Sequence, residues 1–271
     1  MHKNNAASAV MLTLNITPDS FSDGGVYAND LPKIMAKVEQ SLADGVTCFD
    51  IGAESTRPNA ELVSAQEEIA RLTPVIKALC ELKQKNQLQI SIDSYKSETI
   101  SHFLPQIDIV NDVSNKLPLE LVKQITDSGK KYVLMHSLTV PANPSVNVEA
   151  HNVTAELLSW FSDKLKAFTD YGIKIPNIIL DLGIGFNKTA DQSWLLLRYV
   201  SQFKKFGCEL LIGHSRKRFL DSVTDKPFAN RDLETATISK YLYDIGTKYI
   251  RMHEYREFLL MANIHHQLSG K

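Results

Sequence analysis

The chain alternates eight short apolar runs with segments of helical periodicity. Each run ends in, or just before, a residue that can hydrogen-bond or carry charge. The runs cover residues 10–15, 47–52, 88–93, 108–112, 131–136, 177–181, 209–215 and 248–253. Alternating strands and helices indicate a parallel sheet with helical crossovers. Eight such strands with polar residues at their carboxyl ends predict an α/β fold, a (β/α)8 TIM barrel with its active site at those ends.

The intervening segments place apolar residues at three- and four-residue steps, and most of them end at a glycine. The predicted helices are 32–42, 64–82, about 96–104, 117–128, 154–171, 193–206, 233–245 and 254–268. Residues 139–152 lack this periodicity and contain Pro141 and Pro144, so we expect a long loop after the fifth strand. An open, doubly wound sheet would also alternate strands and helices, but an eighth strand followed by a terminal helix favours closure.

Length and composition indicate a single globular domain over residues 1–271. A barrel of this type needs ~250 residues, and no linker or shift of composition divides the chain. With 30 basic and 31 acidic residues the net charge is −1, which gives no support for a nucleic-acid partner. No run approaches the ~18 apolar residues of a membrane span. Three widely spaced cysteines without metal-ligand spacing favour a cytoplasmic protein.

Three polar strand ends are candidates for ligand binding. Asp93 and Asp181 each follow apolar residues, and Asn111 lies in the fourth strand. A carboxylate inside an apolar barrel costs several kcal/mol unless it is paired. We therefore expect these groups at the rim, where two carboxylates and an amide can bind the donor-rich edge of a planar heterocycle. Helix capping is the alternative role for each of them.

Basic residues follow the last two strands. Lys217 and Arg218 come after strand 7, where barrels often bind phosphate or carboxylate groups. Arg251 and His253 share one face of strand 8, and a cation beside an imidazole suits a pyrophosphate leaving group.

A metal site is the competing interpretation of the histidines. His136, His214 and His253 could bind a metal together with Asp93 or Asp181, as in barrel hydrolases. Those sites usually need a His-x-His pair after strand 1, and the chain contains no such pair, so this is the weaker interpretation.

Two long loop sequences and six short motifs resemble the dihydropteroate synthase family. The loops are 15–25 (NITPDSFSDGG) and 50–58 (DIGAESTRP), and the short motifs lie at 91–93, 110–113, 134–136, 181–186, 215–217 and 251–253. The resemblance extends from about residue 11 to residue 254, with the motifs in the same order. It implies a transferase of folate biosynthesis that condenses 6-hydroxymethyl-7,8-dihydropterin pyrophosphate with 4-aminobenzoate. The products would be 7,8-dihydropteroate and pyrophosphate.

The resemblance also implies a role for individual residues. Asp93, Asn111, Asp181 and Lys217 would hold the pterin, Arg251 and His253 the pyrophosphate, and Asn15 a Mg²⁺ ion. Thr56, Arg57 and Pro58 would shape the aminobenzoate pocket, with Ser215 and Arg218 near its carboxylate. Asp19 and Asp23 would reach the site when the first loop closes, and with Lys217 they are the catalytic candidates. The resemblance further implies a homodimer that pairs through late helices.

Two strand-end residues have weaker assignments. Asp50 is expected to support the loop that follows it without touching substrate, and His136 has no assigned role.

Several residues depart from the family pattern. Ala53, Asn59, Asn187 and Glu234 replace usual glycines, and Leu182 replaces a usual proline. The departures lie around the aminobenzoate end, so weaker aminobenzoate binding or altered sulfonamide sensitivity is a hypothesis. Asn187 is the mildest change, because Asn tolerates a positive φ.

Two further functions remain open. A methyltransferase barrel that binds a methylated folate would share the Asp and Asn contacts, but it would not need the two substrate loops. A non-catalytic pterin-binding or scaffold protein is the other, and the filled catalytic positions argue against it.

Overall fold

The barrel is closed. The computed structural model describes residues 5–16, 31–54, 63–143, 145–149 and 151–269. Within them, eight parallel strands pair in sequence order, and the first strand also pairs with the eighth. The prediction of a (β/α)8 barrel is therefore confirmed, and the open doubly wound sheet is excluded.

The strand bounds agree with the apolar runs to within two residues. The strands are β1 Val10–Asn15, β2 Cys48–Gly52, β3 Gln89–Asp93, β4 Ile109–Asp112, β5 Lys131–Met135, β6 Ile178–Asp181, β7 Glu209–Gly213 and β8 Tyr249–Met252. The helices between and after them are α1 Leu31–Ala43, α2 Ala65–Lys83, α3 Ser97–Phe103, α4 Leu119–Asp127, α5 Val153–Asp170, α6 Ala190–Arg198, α7 Asp232–Asp244 and α8 Arg256–Ser269. No helix in these described segments is long and apolar enough to cross a membrane.

Helix α6 differs from its prediction over 193–206. It begins three residues earlier because Thr189 and Gln192 form a capping box, in which each side chain accepts a hydrogen bond from the other's backbone N–H. It ends at Arg198, and a 3-10 helix, Val200–Phe206, continues to Gly207. The Thr-x-x-Gln signal is present in the sequence and would have corrected the start.

The two faces of the strands bury different partners. Outward residues pack with the helices in the large core, whereas an inner apolar layer closes the barrel. This inner layer consists of Met11, Cys48, Ile109, Val133, Ile179, Leu211 and Tyr249. Because side chains alternate along a strand, the residues two positions further on share that inner face. Four of them, Asp50, Asn111, Asp181 and Arg251, belong to a polar layer above the apolar one, which Ser91 joins as the register partner of Asp50.

The long loop after β5 is fastened by one side chain. Asn187 has φ 52°, and its Oδ1 accepts hydrogen bonds from the N–H groups of Leu138 and Thr139, both at 3.0 Å. Its Nδ2 donates to Thr139 Oγ1 at 3.0 Å and to the carbonyl oxygens of Asn143 and Val146 at 3.3 and 2.9 Å. Asn187, which stands where the family usually has glycine, therefore does more than adopt a positive φ. Its side-chain amide also fixes the loop.

We expect Asn187→Ala to lower the free energy of unfolding more than Asn187→Gly does. Both variants lose the amide hydrogen bonds, at a cost of about 1–3 kcal/mol. Only alanine adds the ~1 kcal/mol strain of a left-handed backbone angle. Urea unfolding of the three proteins measures the two differences, and a glycine variant as stable as the parent would contradict the loop-fastening role.

Candidate active site

One buried carboxylate connects four strands. Asp50 on β2 is fully buried and accepts hydrogen bonds from Ser91 Oγ on β3 at 2.6 Å, Asn111 Nδ2 on β4 at 3.1 Å and Arg251 Nε on β8 at 2.5 Å. These three donors compensate the buried charge. Its described partners lie on strands, and the expectation that it supports the loop after β2 stays a prediction, because residues 55–62 lie outside the described residues.

Arg251 bridges two carboxylates. While its Nε donates to Asp50, its Nη2 donates to Asp93 Oδ2 at 2.6 Å. Burial by itself would lower the pKa of the guanidinium, but Asp50 and Asp93 more than offset this, so the pKa of Arg251 is raised. Arg251 and Asp93 were predicted for different parts of the substrate, and the structure pairs them directly.

The carboxyl of Asp93 has a raised pKa. Its side chain is 13% exposed at the end of β3. Burial raises its pKa to about 7, opposed by Arg251 and reinforced by the charge of Asp50. A carboxylate with this pKa changes its charge in the range where most enzymes work.

Asp181, at the end of β6, and Lys217, in the turn after β7, attract each other electrostatically. Asp181 Oδ1 accepts from the Gly183 N–H at 2.8 Å, and burial raises the pKa of this carboxyl against the opposing charge of Lys217. Burial lowers the pKa of Lys217 to about 8. Lys217 Nζ donates to Ile184 O at 2.6 Å and lies 4.6 Å from the centre of the Phe186 ring.

A buried lysine holds the turn after β6. Lys188 Nζ donates to the carbonyl oxygens of His136 and Phe186 at 3.1 and 3.0 Å and lies 3.1 Å from His136 Nδ1. Burial lowers the pKa of Lys188 to about 7. In the same turn Gly183 has φ 62°, and a Cβ there would lie 2.1 Å from His136 O, so only glycine fits. The sequence analysis missed Lys188, because a single lysine in a loop is usually solvated.

Ser215 and His253 lie in contact. Ser215 Oγ is 2.9 Å from His253 Nδ1, and the His253 N–H donates to Ser215 Oγ at 3.3 Å. The resemblance placed one residue at the aminobenzoate and the other at the pyrophosphate, and the structure brings the two positions together. Arg218 is exposed at the start of the 3-10 helix Arg218–Ser222.

The structure does not assemble the alternative histidine metal site. His136 packs edge-on against Trp160 of α5, with ring centres 4.8 Å apart, and His214 Nε2 lies 3.0 Å from Thr235 O of α7. Both rings therefore face the helical layer and not the barrel mouth. Among the described residues no group of three His, Cys, Asp or Glu side chains is placed to hold a metal.

Five of the predicted site residues lie outside the described residues. They are Asp19 and Asp23 in the first loop and Thr56, Arg57 and Pro58 in the second. Their roles stay predictions.

The described start of the second loop is well anchored. The Glu54 carboxylate accepts hydrogen bonds from Lys96 and from the Tyr95 hydroxyl, the latter at 2.9 Å. Arg71 Nη1 donates to Ala53 O at 3.0 Å. The chain therefore enters this loop from a fixed position beside Asp50.

The barrel mouth combines opposite charges above an apolar floor. Asp93, Asn111 and Asp181 offer acceptors, while Lys217 and Arg251 offer cations within the same ring of strand ends. Such a site can bind a planar ring through its N–H groups and place an anionic substituent beside the cations. The fold and the site thus define a barrel enzyme that binds a polar heterocycle.

Comparison with known proteins shows which family the chain belongs to and which heterocycle that family binds. Residues 11–253 match the family model described as pterin binding enzyme. The chain belongs to the pterin-binding enzyme family.

Its relatives within that family are dihydropteroate synthases. The enzyme of Streptococcus pyogenes is 36% identical over 251 residues, covering 91% of this chain and 90% of the relative. The crystal structure of the Clostridium difficile enzyme with pteroic acid has a TM-score of 0.84, 28% identity and full coverage of both chains. The Yersinia pestis enzyme with a sulfonamide drug has a TM-score of 0.85 and 29% identity, covering 97% of this chain and 94% of the other.

We expect the affinity for a pterin to fall as the pH drops through about 7. Asp93 is an ionised acceptor above its pKa of about 7 and loses that charge below it. Titration of 6-hydroxymethylpterin between pH 5.5 and 8 measures the effect. This ligand carries no pyrophosphate that could titrate in the same range.

The matched variant is Asp93→Asn. It should bind the pterin more weakly while keeping the circular dichroism spectrum of the parent, and its residual affinity should vary little between pH 5.5 and 7. If the affinity of the variant still falls at acidic pH, a group other than Asp93 is responsible for the pH dependence.

Proposed function

We propose that the chain carries out the reaction named by its relatives, and that it is a transferase of folate biosynthesis. It condenses 6-hydroxymethyl-7,8-dihydropterin pyrophosphate with 4-aminobenzoate to give 7,8-dihydropteroate. The observation that carries the proposal is the group of Asp93, Asn111, Asp181 and Lys217, which lie buried or half-buried at the mouth of a barrel that matches the pterin-binding family over residues 11–253.

The two carboxylates suit the charge that develops on the pterin. The C–O bond between the methylene carbon and pyrophosphate breaks, and its electron pair leaves with the pyrophosphate. Positive charge then spreads over the ring, where Asp93 and Asp181 stabilise it from fixed positions. Lys217 contacts the ring between them and balances the negative charge of the ground state.

The cationic side of the site suits the leaving group. Arg251 is held by Nε and Nη2, and its remaining N–H groups can donate to pyrophosphate oxygens beside His253. Asn15 is half-buried at the end of β1 and offers one amide oxygen. This donor fits Mg²⁺, which binds oxygen and keeps waters and substrate phosphates among its ligands. When bound, Mg²⁺ would supply further countercharge to the pyrophosphate.

The amine completes the reaction. The 4-aminobenzoate nitrogen is a nucleophile in its neutral form, so its lone pair forms the C–N bond and its proton then leaves to solvent or pyrophosphate. We assign its pocket to Thr56, Arg57, Pro58, Ser215 and Arg218.

Closure of the first loop would carry Asp19 and Asp23 to the site and keep water from the cationic pterin.

The test is pyrophosphate release from the dihydropterin pyrophosphate in the presence of 4-aminobenzoate and Mg²⁺. We expect release that needs both substrates, stops on chelation by EDTA and returns with added Mg²⁺. Asp93→Asn should lower kcat/KM by about 100-fold or more, the scale of losing a charged transition-state contact.

Two results would point elsewhere. Pterin binding without release would favour the non-catalytic pterin-binding protein. The same assay gives the KM for 4-aminobenzoate and the inhibition by a sulfonamide. Ordinary values would reject the hypothesis drawn from the departures at Ala53, Asn59, Leu182, Asn187 and Glu234.

We also propose a homodimer formed through α7 and α8. These helices pack against each other, with the Tyr243 and Phe258 rings 5.9 Å apart. On α8, Leu260, Ile264 and Leu268 repeat at four-residue steps and are 60%, 52% and 81% exposed. An exposed apolar stripe of this kind is typical of a protein interface. A cytoplasmic location stays a prediction, supported by three free cysteines.

We expect Leu260→Arg/Ile264→Arg to convert a dimer to a monomer, because the two new arginines of each protomer would be buried against those of its partner across a two-fold axis. Light scattering with size-exclusion chromatography gives the mass. Leu119→Arg, on α4 and 37% exposed in the parent, is the matched control and should leave the dimer intact. A parent protein that is monomeric at micromolar concentration would reject the interface.

A further inference from the structure

The side-chain amide of Asn111 is only half satisfied. Asn111 is 2% exposed, and its Nδ2 donates to Asp50 Oδ2 at 3.1 Å. Its Oδ1 has no hydrogen-bond partner among the described residues. Buried polar atoms are nearly always paired, so an unpaired oxygen in a binding site indicates a ligand that supplies the donor.

The orientation of this amide is fixed by Asp50. An ionised carboxylate only accepts hydrogen bonds, so the atom of Asn111 that faces it must be the N–H₂ group. Turning the amide over would place two oxygens against each other. Asp50 cannot turn away either, because Arg251 Nε donates to the same oxygen that accepts from Asn111 and the carboxylate is fully buried.

We propose that Asp50 is a specificity-determining positioning residue, which holds Asn111 so that only its amide oxygen remains for the ligand. The inference rests on the proposed function in one respect, namely that Asn111 contacts the pterin. The ring must then present an N–H group to Asn111. A ring with an acceptor at that point is rejected, because two buried acceptors would meet without a hydrogen.

The same carboxylate also orients Arg251. Asp50 Oδ2 accepts from both Asn111 Nδ2 and Arg251 Nε, so one oxygen aligns an amide and a guanidinium. A purely structural Asp50 would only neutralise Arg251 inside the barrel. Loss of Asp50 would in that case lower stability without a specific dependence on Asn111.

The first test compares three variants by calorimetric titration of 6-hydroxymethylpterin. Asp50→Ala should raise Kd about 10- to 100-fold, the scale of losing hydrogen bonds to a charged group. Asp50→Asn should raise Kd less than about 5-fold, because its oxygen can still accept from Asn111 and Arg251 while the Ser91 hydroxyl reverses to accept from its amide.

Ser91→Ala is the matched control. It removes a hydrogen bond from the same carboxylate, so it should lower the free energy of unfolding, but it leaves the contact with Asn111. We expect its Kd to stay within about 3-fold of the parent value. A Ser91→Ala effect as large as that of Asp50→Ala would overturn the proposal.

A double-variant cycle tests whether Asp50 acts through Asn111. In an Asn111→Ala background, Asp50→Ala should raise Kd by a factor several-fold smaller than in the parent. Equal factors in the two backgrounds would show that Asp50 acts independently of Asn111, against the proposal. Asp50→Ser replaces Asp50→Ala in this cycle if the alanine variant does not fold.

A measurement without ligand separates this inference from the proposed function. The side-chain N–H₂ signals of Asn111, assigned in ¹⁵N spectra by comparison with Asn111→Ala, should exchange slowly with solvent in the parent, Ser91→Ala and Asp50→Asn. They should exchange fast in Asp50→Ala. Absence of pterin binding by the parent would reject the proposed function. Fast exchange of the Asn111 N–H₂ group in the parent would instead show that Asp50 does not hold this amide.

Discussion

The guanidinium of Arg251 between Asp50 and Asp93 is the interaction on which the mouth of the barrel depends. Any one of these charges alone inside the barrel would cost several kcal/mol of desolvation. Each carboxylate instead receives its own N–H group, from Nε and from Nη2. The arginine belongs to the last strand and its partners to the second and third, so this arrangement requires a closed sheet. Barrel closure and charge pairing therefore support each other.

Burial over the apolar floor explains why the pKa values of Asp93 and Lys217 shift toward one another. Desolvation penalises the charged form of every group, so it raises the pKa of Asp93 to about 7 and lowers that of Lys217 to about 8. Burial therefore brings the pKa of this acid and the pKa of this base closer together than they are in water. The barrel interior, and not any single neighbour, brings both of them near neutrality.

The sequence predicts the strands and the polar strand ends well, because period-2 alternation and burial are local properties. It does not predict which strand ends pair. Asp50 and Arg251 are 201 positions apart, and their contact depends on the register of every strand between them. Lys188 and Asn187 were missed as anchors for a similar reason, since each contacts a loop more than 40 positions away. The two substrate loops resemble a family, and only that resemblance indicated the reaction.

The mouth is held in two different ways on its two sides. Strands β2, β3, β4 and β8 are joined by the Asp50 carboxylate and its donors. After β5, β6 and β7, lysines donate instead to backbone carbonyls, Lys188 to His136 and Phe186, and Lys217 to Ile184.

Each side contributes one acid to the proposed pterin site. Asp93 lies on the side that is joined through Asp50, and Asp181 lies on the side where lysines donate to backbone carbonyls. A ligand that contacts both acids therefore bridges two separately fixed halves. Side-chain hydrogen bonds hold the first half, so its geometry depends on which side chains are present there. The second is held through the backbone, so it depends on the turn conformation, in which a side chain at Gly183 would place its Cβ 2.1 Å from His136 O.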